Sequence, residues 1–136
     1  MLGAEREIKA NEVAAGQVRL VFWPILDLGP NSLNAATTAT CAGEQDPAAF
    51  WAAHDTLFEN QGDLYGADRQ YFVDVAAALG LDGAAGEAVR EQLTALDAAR
   101  REAGIFNRPT FDLNGQRLIG AQPYDTFAAA IATLLP

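Results

Sequence analysis

A β-hairpin is predicted by residues 110–119, which read TFDLNGQRLI. Asn114-Gly115 is the strongest short signal for a two-residue type I′ turn, and the runs on either side are suited to two short strands. After the hairpin, Pro123 is expected to open a helix that buries Phe127, Ile131 and Leu134. Residues 110–136 are therefore predicted to form a hairpin followed by a helix.

An earlier strand is predicted at Gln17–Trp23, where β-branched and aromatic residues lie between Gly16 and Pro24. This strand is apolar on both faces, so we expect helices to cover both of its sides. Trp23 is accordingly expected to lie in the core. A helix over about residues 2–15 is expected to precede the strand and to end at Gly16.

Four helices are predicted between the strand and the hairpin. The clearest has Asp46 as its N-cap and Pro47 at the first helical position, where proline's missing N–H costs nothing. The others are an alanine-rich helix that Ser32 caps, a helix that stops at Gly80, and a longer helix over about residues 85–103. The central part of the chain is therefore predicted to be helical.

Composition and charge exclude several classes of protein. The 136 residues are 50% hydrophobic and 20% charged, as expected of one globular domain. A net charge of −9 argues against binding to nucleic acid or to an anionic membrane surface. No apolar stretch approaches the roughly 20 residues that a membrane-spanning helix needs. Residues 1–11 are charged and lack the apolar centre of a secretory signal.

Four segments of the sequence, taken in order, resemble the DsbA-like thiol–disulfide oxidoreductases. In that family they form the second strand, the first helices of a helical insertion, the cis-proline loop, and the last hairpin with the start of its helix. The corresponding residues here are 16–21 (GQVRLV), 41–58, 104–111 (GIFNRPTF) and 114–124. The resemblance covers nearly the whole chain.

The resemblance implies an α/β, thioredoxin-like fold in one domain of residues 1–136, with a helical insertion at about residues 31–104. Members of the family begin with a strand that leads into a Cys-x-x-Cys pair, and this sequence contains neither. The chain is therefore expected to be an N-terminally truncated domain whose first strand is missing. Because disulfide exchange needs a thiolate and a nearby resolving thiol, we expect this chain to be inactive as an oxidoreductase.

Arg108, Pro109 and Thr110 are the residues that the resemblance assigns to substrate binding. In the family this loop holds a cis-proline, and its backbone pairs with an extended peptide or protein substrate as an added strand. We therefore expect a cis Arg108–Pro109 bond, with the Arg108 guanidinium facing an acidic group of the substrate. The alternative is that Pro109 only ends the loop and positions Thr110 at the start of its strand.

No catalytic residue is predicted. Cys41 lies late in its predicted helix, where the helix dipole disfavours a thiolate, so we interpret it as a small buried hydrophobe. A reactive Cys41 thiol is the alternative. Trp51 and His54 lie on the apolar stripe of the next helix. Trp51 is expected in the core, and His54 is expected to be a hydrogen-bonded residue of the core or its rim, with a ligand or catalytic role as the alternative. One cysteine and one histidine cannot form a Cys/His zinc site or an internal disulfide, so neither a metal nor a cofactor is predicted.

Two other functions stay open on the sequence alone. One is a non-catalytic, peptide-binding module with a thioredoxin-like fold. The other is a glutathione-using isomerase or transferase of the same superfamily, which Gly104-Ile105-Phe106 resembles faintly. The DsbA-like family usually works outside the cytoplasm, in the cell envelope or secreted.

The missing first strand leaves a gap beside Gln17–Trp23. Unpaired strand edges are costly when buried and adhesive when exposed. Two arrangements supply hydrogen-bond partners for the backbone of this strand. It pairs directly with Thr110–Leu113, or a second copy of the chain fills the gap and forms a homodimer.

Overall fold

The computed structural model describes residues 2–80 and 87–136, without the side chains of Leu2 and Glu87. The chain divides into two compact units, one of Met1–Trp23 with Ala103–Pro136 and one of Pro24–Glu102. Most of the regular structure in the described residues is helical, together with one two-stranded sheet. The single domain with an insertion at about residues 31–104 stays a prediction.

The first unit combines helices with the hairpin. Its elements are α1 (Leu2–Ile8), which continues into a π-helical turn (Lys9–Val13), then β1 (Thr110–Leu113), β2 (Gln116–Ile119) and α7 (Tyr124–Ala132). The core contains Ile8, Phe127 and Ile131, and Phe111 and Leu118 from the hairpin pack against it. One face of the hairpin is therefore covered by side chains from α1 and α7.

The predicted hairpin is confirmed. β1 and β2 pair antiparallel, with Thr110 opposite Ile119 and Leu113 opposite Gln116. Asn114 and Gly115 have φ angles of 51° and 97°. A type I′ turn requires this positive φ at both central positions, which is why the Asn-Gly sequence predicts it.

The second unit contains the remaining helices: α2 (Pro30–Gln45), α3 (Pro47–Glu59), α4 (Gln61–Leu64), α5 (Arg69–Ala78) and α6 (Glu87–Glu102). Its core is built around Ala39, Ala42 and Ala53, with Leu57 and Phe72. These small residues let α2 and α3 approach closely. A Cβ atom at Gly43 would lie only 3.0 Å from the Cβ of Phe50, so this position requires glycine or a shift of the neighbouring helix.

The predicted start of α3 is confirmed. Asp46 is its N-cap, and the Asp46 carboxylate accepts a hydrogen bond from the Ala48 N–H at 3.0 Å. The predicted cap of α2 is wrong. That helix begins at Pro30 after Gly29, and the Ser32 hydroxyl accepts a hydrogen bond from the Leu28 N–H instead. The predicted start of α6 near Ala85 lies outside the described residues.

The predicted strand at Gln17–Trp23 is wrong, since these residues have no regular strand pattern. A strand requires a neighbouring backbone, and in residues 2–80 and 87–136 β1 pairs only with β2. Direct pairing of Gln17–Trp23 with Thr110–Leu113 is wrong for the same reason. Trp23 is 47% exposed and Val21 67% exposed, so helices do not cover both sides of this segment and Trp23 is not a core residue.

Burial at the end of α7 also differs from the prediction. Phe127 and Ile131 are buried, as predicted, but Leu134 is exposed. The reason is that α7 ends at Ala132, so Leu134 no longer follows the helical stripe. At the other end of the chain, Gly16 has a φ of 73°, which agrees with its predicted role after the first helix.

Candidate peptide-binding site

The loop between α6 and β1 carries the residues predicted to bind substrate. Gly104 has a φ of 72°, which lets the chain turn immediately after α6. The Arg108–Pro109 peptide bond is cis, as predicted. Arg108 is exposed, whereas Pro109 and Thr110 are half-buried. The structure therefore brings Arg108, Pro109 and Thr110 together where the chain enters β1.

Two hydrogen bonds hold this loop against the hairpin. The Thr110 hydroxyl donates to the Asn107 carbonyl at 2.6 Å. The Gly120 N–H donates to the Pro109 carbonyl at 2.9 Å. This second bond extends the hydrogen-bond pattern of β1 and β2 one residue beyond the strand, so the backbone at Pro109 is positioned by the sheet.

The same pattern determines which backbone groups of β1 are free. Residues of an antiparallel pair alternate between those that exchange hydrogen bonds and those whose N–H and C=O point away from the partner strand. Because Pro109 bonds to Gly120, the N–H and C=O of Thr110 and Asp112 point away from β2. No backbone hydrogen bond between described residues uses these groups. β1 therefore has a free edge.

The side chains of β1 alternate between two environments. Phe111 and Leu113 pack against the core of the first unit. Asp112 is exposed and forms an ion pair with Arg117 at 3.5 Å, while Arg117 also donates to the Ala103 carbonyl at 3.0 Å. An exposed ion pair of this kind contributes little stability, but these contacts orient both side chains away from the core.

A model of the family described as thioredoxin matches residues 2–133, which is nearly the whole chain. The chain belongs to the thioredoxin family. The match is compatible with an α/β, thioredoxin-like domain that is mostly helical with a small two-stranded sheet.

Two relatives of this thioredoxin-family chain have the names of ion transporters. "Na(+)/H(+) antiporter NhaA 1" of Salinispora arenicola is 33% identical over 119 residues, which cover 81% of this chain and 17% of that protein. "Na(+)/H(+) antiporter NhaA 3" of Salinispora tropica is 32% identical over 143 aligned positions, which cover 94% of this chain and 20% of that protein. The chain thus spans at most a fifth of the length of these relatives.

No solved structure matches the chain. Among the helices of the described residues, none has both the length and the apolar character needed to cross a membrane.

Cys41 and His54 lie in the second unit of this thioredoxin-family chain. Cys41 is half-buried in α2 rather than fully buried as predicted. His54 is buried in α3, as predicted, and its ring centroid lies 4.6 Å from that of Phe58. Its Nδ1 atom lies 2.9 Å from the Asp55 carboxylate. The sequence did not predict this contact, because adjacent residues on a helix ordinarily face different directions.

A polar cluster that the sequence analysis missed joins the π-helical turn to α7. The Tyr124 hydroxyl donates to the Glu12 carboxylate at 2.6 Å and accepts a hydrogen bond from the Asn11 side-chain amide at 3.0 Å. The bond to Glu12 raises the pKa of Tyr124 above its ordinary value of 10.0. Tyr124 and Glu12 are 112 residues apart in sequence, so no local pattern predicts their contact.

Asp97 of α6 is the centre of a second missed cluster. Its carboxylate accepts hydrogen bonds from the Leu26 N–H at 3.0 Å, from Arg100 at 2.8 Å and from Arg101 at 3.0 Å. Burial raises the pKa of this carboxyl, but the three hydrogen bonds outweigh burial and leave the pKa below its ordinary value. The spacing of Asp97 from Arg100 and Arg101 was a signal for this cluster, since residues three and four apart are neighbours on a helix.

Proposed function

We propose that this thioredoxin-family chain is a non-catalytic module that binds extended polypeptide segments at Arg108, Pro109 and Thr110. The observation that carries the proposal is the free edge of β1, where the N–H and C=O of Thr110 and Asp112 point away from β2. An extended peptide pairs with such groups as an added strand, and the backbone hydrogen bonds supply affinity for many sequences. The bound peptide therefore lies along β1.

The single cysteine supports a non-catalytic role. Cys41 is the only cysteine in residues 1–136. Disulfide exchange proceeds through a mixed disulfide, and a chain without a second thiol has no internal group to resolve it. We assign the chain to a redox-inactive branch of the DsbA-like proteins. The helical unit Pro24–Glu102 supports that assignment, since it lies in sequence between Trp23 and the loop that leads to β1.

The side chains around the loop favour a peptide that is partly apolar and partly acidic. Arg108 is exposed immediately before Pro109 and carries a guanidinium suited to a carboxylate. Phe106, two residues earlier, is 63% exposed. An exposed aromatic ring is suited to pack against an apolar side chain of a ligand. The proposed ligand is therefore an extended segment that presents at least one carboxylate beside apolar residues.

The names of the two relatives favour a membrane transporter as the protein with which this module acts. Two proteins named as Na(+)/H(+) antiporters contain a stretch similar to 81% and 94% of this chain. We propose that the module acts together with a transporter of that class. Co-purification of the chain with such an antiporter in detergent, and its loss in a Thr110→Pro variant, is the result expected.

The binding proposal is tested with two substitutions at one position. Thr110→Ala and Thr110→Pro both remove the hydroxyl that bonds to Asn107, but only proline also removes the outward N–H of β1. The probe is fluorescently labelled, reduced and carboxymethylated α-lactalbumin, an unfolded polypeptide, followed by anisotropy. Loss of one hydrogen bond weakens binding by about tenfold in Thr110→Pro, and Thr110→Ala binds like the wild type.

A control on the opposite edge of the hairpin identifies the strand that binds. Ile119 pairs with Thr110, so Ile119→Pro removes the outward N–H of β2. We expect Ile119→Pro to retain binding and all three variants to keep their circular dichroism spectra. Equal loss in Thr110→Pro and Ile119→Pro contradicts the assignment to β1. Failure of the wild-type chain to bind the polypeptide, together with retention on immobilised glutathione, favours the glutathione-using alternative.

A further inference from the structure

Gln17–Trp23 is the longest apolar segment of the first unit without regular structure, and its burial alternates. Val18, Leu20 and Phe22 are half-buried, whereas the residues between them are exposed. On the exposed face, Val21 is 67% accessible to solvent and Trp23 47%. Alternation with a period of two is the pattern of extended backbone, although no neighbouring strand is paired with this segment in the described residues.

The middle of this segment has unused backbone groups. The N–H groups of Gln17 and Val18 both donate to the Glu12 carbonyl, at 2.9 Å and 3.2 Å. No backbone hydrogen bond between described residues involves Arg19, Leu20 or Val21. An exposed, apolar, extended segment with free N–H and C=O groups is a template for pairing with another strand.

The segment is complementary to itself in an antiparallel register centred on Leu20. Opposite residues of an antiparallel pair lie on the same face of the sheet, so half-buried residues must oppose half-buried residues. A register centred on Leu20 meets this requirement, because it places Val18 opposite Phe22 and Arg19 opposite Val21. Full pairing covers Val18–Phe22, because the Gln17 N–H already donates to the Glu12 carbonyl and Pro24 has no N–H to donate.

The free backbone groups match that register. With Leu20 at the two-fold axis, Arg19 of one copy and Val21 of the other exchange two backbone hydrogen bonds, each N–H donating to the other residue's carbonyl. Among the described residues, neither Arg19 nor Val21 has another backbone hydrogen-bond partner. The occupied N–H of Val18 points away from the partner, whereas the occupied N–H of Gln17 lies on the partner's side and forms no bond across the interface. A register centred on Arg19 instead places two guanidinium groups opposite each other, which is unfavourable.

We propose that Gln17–Trp23 forms a two-fold interface by pairing antiparallel with the same segment of a second copy of this chain. The second copy is the occupant because the faces and the free backbone groups of the segment complement themselves, and because this register keeps the two Arg19 side chains from facing each other. A pairing of two short strands is small beside the roughly 1,600 Å² of a standard interface. The dimer is therefore weak, and its population depends on protein concentration.

A charge change at Val21 tests both the surface and the register. Val21→Glu places a carboxylate opposite Arg19 of the second copy, and Val21→Lys places an ammonium there, twice in each dimer. Both substitutions are at an exposed position and leave the fold intact. We expect the dissociation constant of Val21→Lys to exceed that of Val21→Glu by about tenfold, measured by sedimentation velocity over a concentration series.

Net charge alone predicts the opposite order. The chain carries a net charge of −9, so an added glutamate increases the repulsion between copies and an added lysine reduces it. The same pair of substitutions at Val73, an exposed residue of α5, measures this general effect. The double variant Arg19→Glu, Val21→Lys restores opposite charges across the interface, so its dimerisation returns towards that of Val21→Glu.

A cross-link provides an independent measurement in a Cys41→Ala background. Leu20→Cys places two thiols directly opposite each other, within the distance that a disulfide bridges, whereas the Val21→Cys thiols of the two copies are offset along the strands. We expect a disulfide-linked dimer for Leu20→Cys and little for Val21→Cys. A wild-type chain that stays monomeric up to millimolar concentration overturns the proposal. So does a dimer whose affinity does not distinguish Val21→Lys from Val21→Glu.

Discussion

Replacing Asp97 by asparagine removes the negative charge from a buried cluster in α6. Asp97 is 8% exposed and Arg100 only 2% exposed, and the Arg100 Nε atom lies 2.8 Å from the Asp97 carboxylate. The substitution keeps the size of the side chain and one oxygen that accepts the Leu26 N–H. It leaves the buried guanidinium of Arg100 without its neighbouring carboxylate.

The magnitude of the loss follows from this burial. Removing one member of a buried ion pair destabilises a protein by about 3–5 kcal/mol, because the remaining buried charge loses a compensating opposite charge. Asparagine retains the hydrogen bond from the Leu26 N–H, so we expect Asp97→Asn to lower the free energy of unfolding by about 3 kcal/mol, the lower end of this range. The Arg101 side chain is 51% exposed, and Arg101→Gln is expected to cost at most about 1 kcal/mol.

Urea unfolding of the second unit measures this difference. In a Trp23→Phe background, the fluorescence of Trp51 in α3 reports on that unit. With a typical dependence on urea, a loss of about 3 kcal/mol lowers the midpoint by roughly 1.5 M. Arg101→Gln in the same background is the matched control. Equal midpoints for Asp97→Asn and Arg101→Gln would refute the argument from burial.

The effect depends on pH with a definite sign. The pKa of Asp97 is lowered in the folded chain, so its stabilising contribution is complete above the ordinary value of 3.8 and is lost as the pH falls through the lower folded value. The difference between the wild type and Asp97→Asn should therefore be constant between about pH 7 and pH 5 and decrease below about pH 4. A difference that grows on acidification contradicts the assigned direction of the shift.

Three further outcomes are expected. Insulin reduction by the wild type should not exceed that of Cys41→Ala, and any activity that this substitution abolishes contradicts the redox-inactive assignment. Subtracting the ultraviolet titration curve of Tyr124→Phe from that of the wild type should show that the pKa of Tyr124 lies above 10.0. Glu12→Gln should lower the pKa of Tyr124, because it removes the carboxylate that accepts its hydrogen bond. Gly115→Ala should destabilise the first unit by about 1 kcal/mol, because the φ of Gly115 is 97°; an unchanged thermal midpoint contradicts this.

The features that the sequence predicts correctly are local ones. Asn114-Gly115 adopts a backbone that few other dipeptides tolerate, so the hairpin and its register follow from two residues. Asp46-Pro47 likewise combines a side-chain acceptor with a residue suited to the first helical turn, and α3 begins there. Each of these signals is complete within a few positions of the chain.

The features that the sequence does not predict depend on distant partners. Gln17–Trp23 has the composition of a strand, but a strand also needs a second backbone, and composition cannot supply one. The free edge of β1 cannot be predicted from its composition, because it depends on the hydrogen bond from Gly120 to Pro109. That bond determines which residues of β1 bond to β2 and which have backbone groups that point away from it. The resemblance identified the loop residues there, whereas the geometry identified the backbone groups that face away from β2.

The first unit is assembled from both sides of the helical unit in sequence, and this has a consequence for synthesis on the ribosome. Glu12 leaves the ribosome before its partner Tyr124, which lies 112 residues later. At ordinary rates of translation that interval lasts roughly 6–22 s. The helices of Pro24–Glu102 are complete before α7 exists, whereas α1 and the apolar residues of Gln17–Trp23 wait in a nascent chain without their core. We expect α1 and Gln17–Trp23 to depend on chaperones during this interval more than the helices of Pro24–Glu102 do.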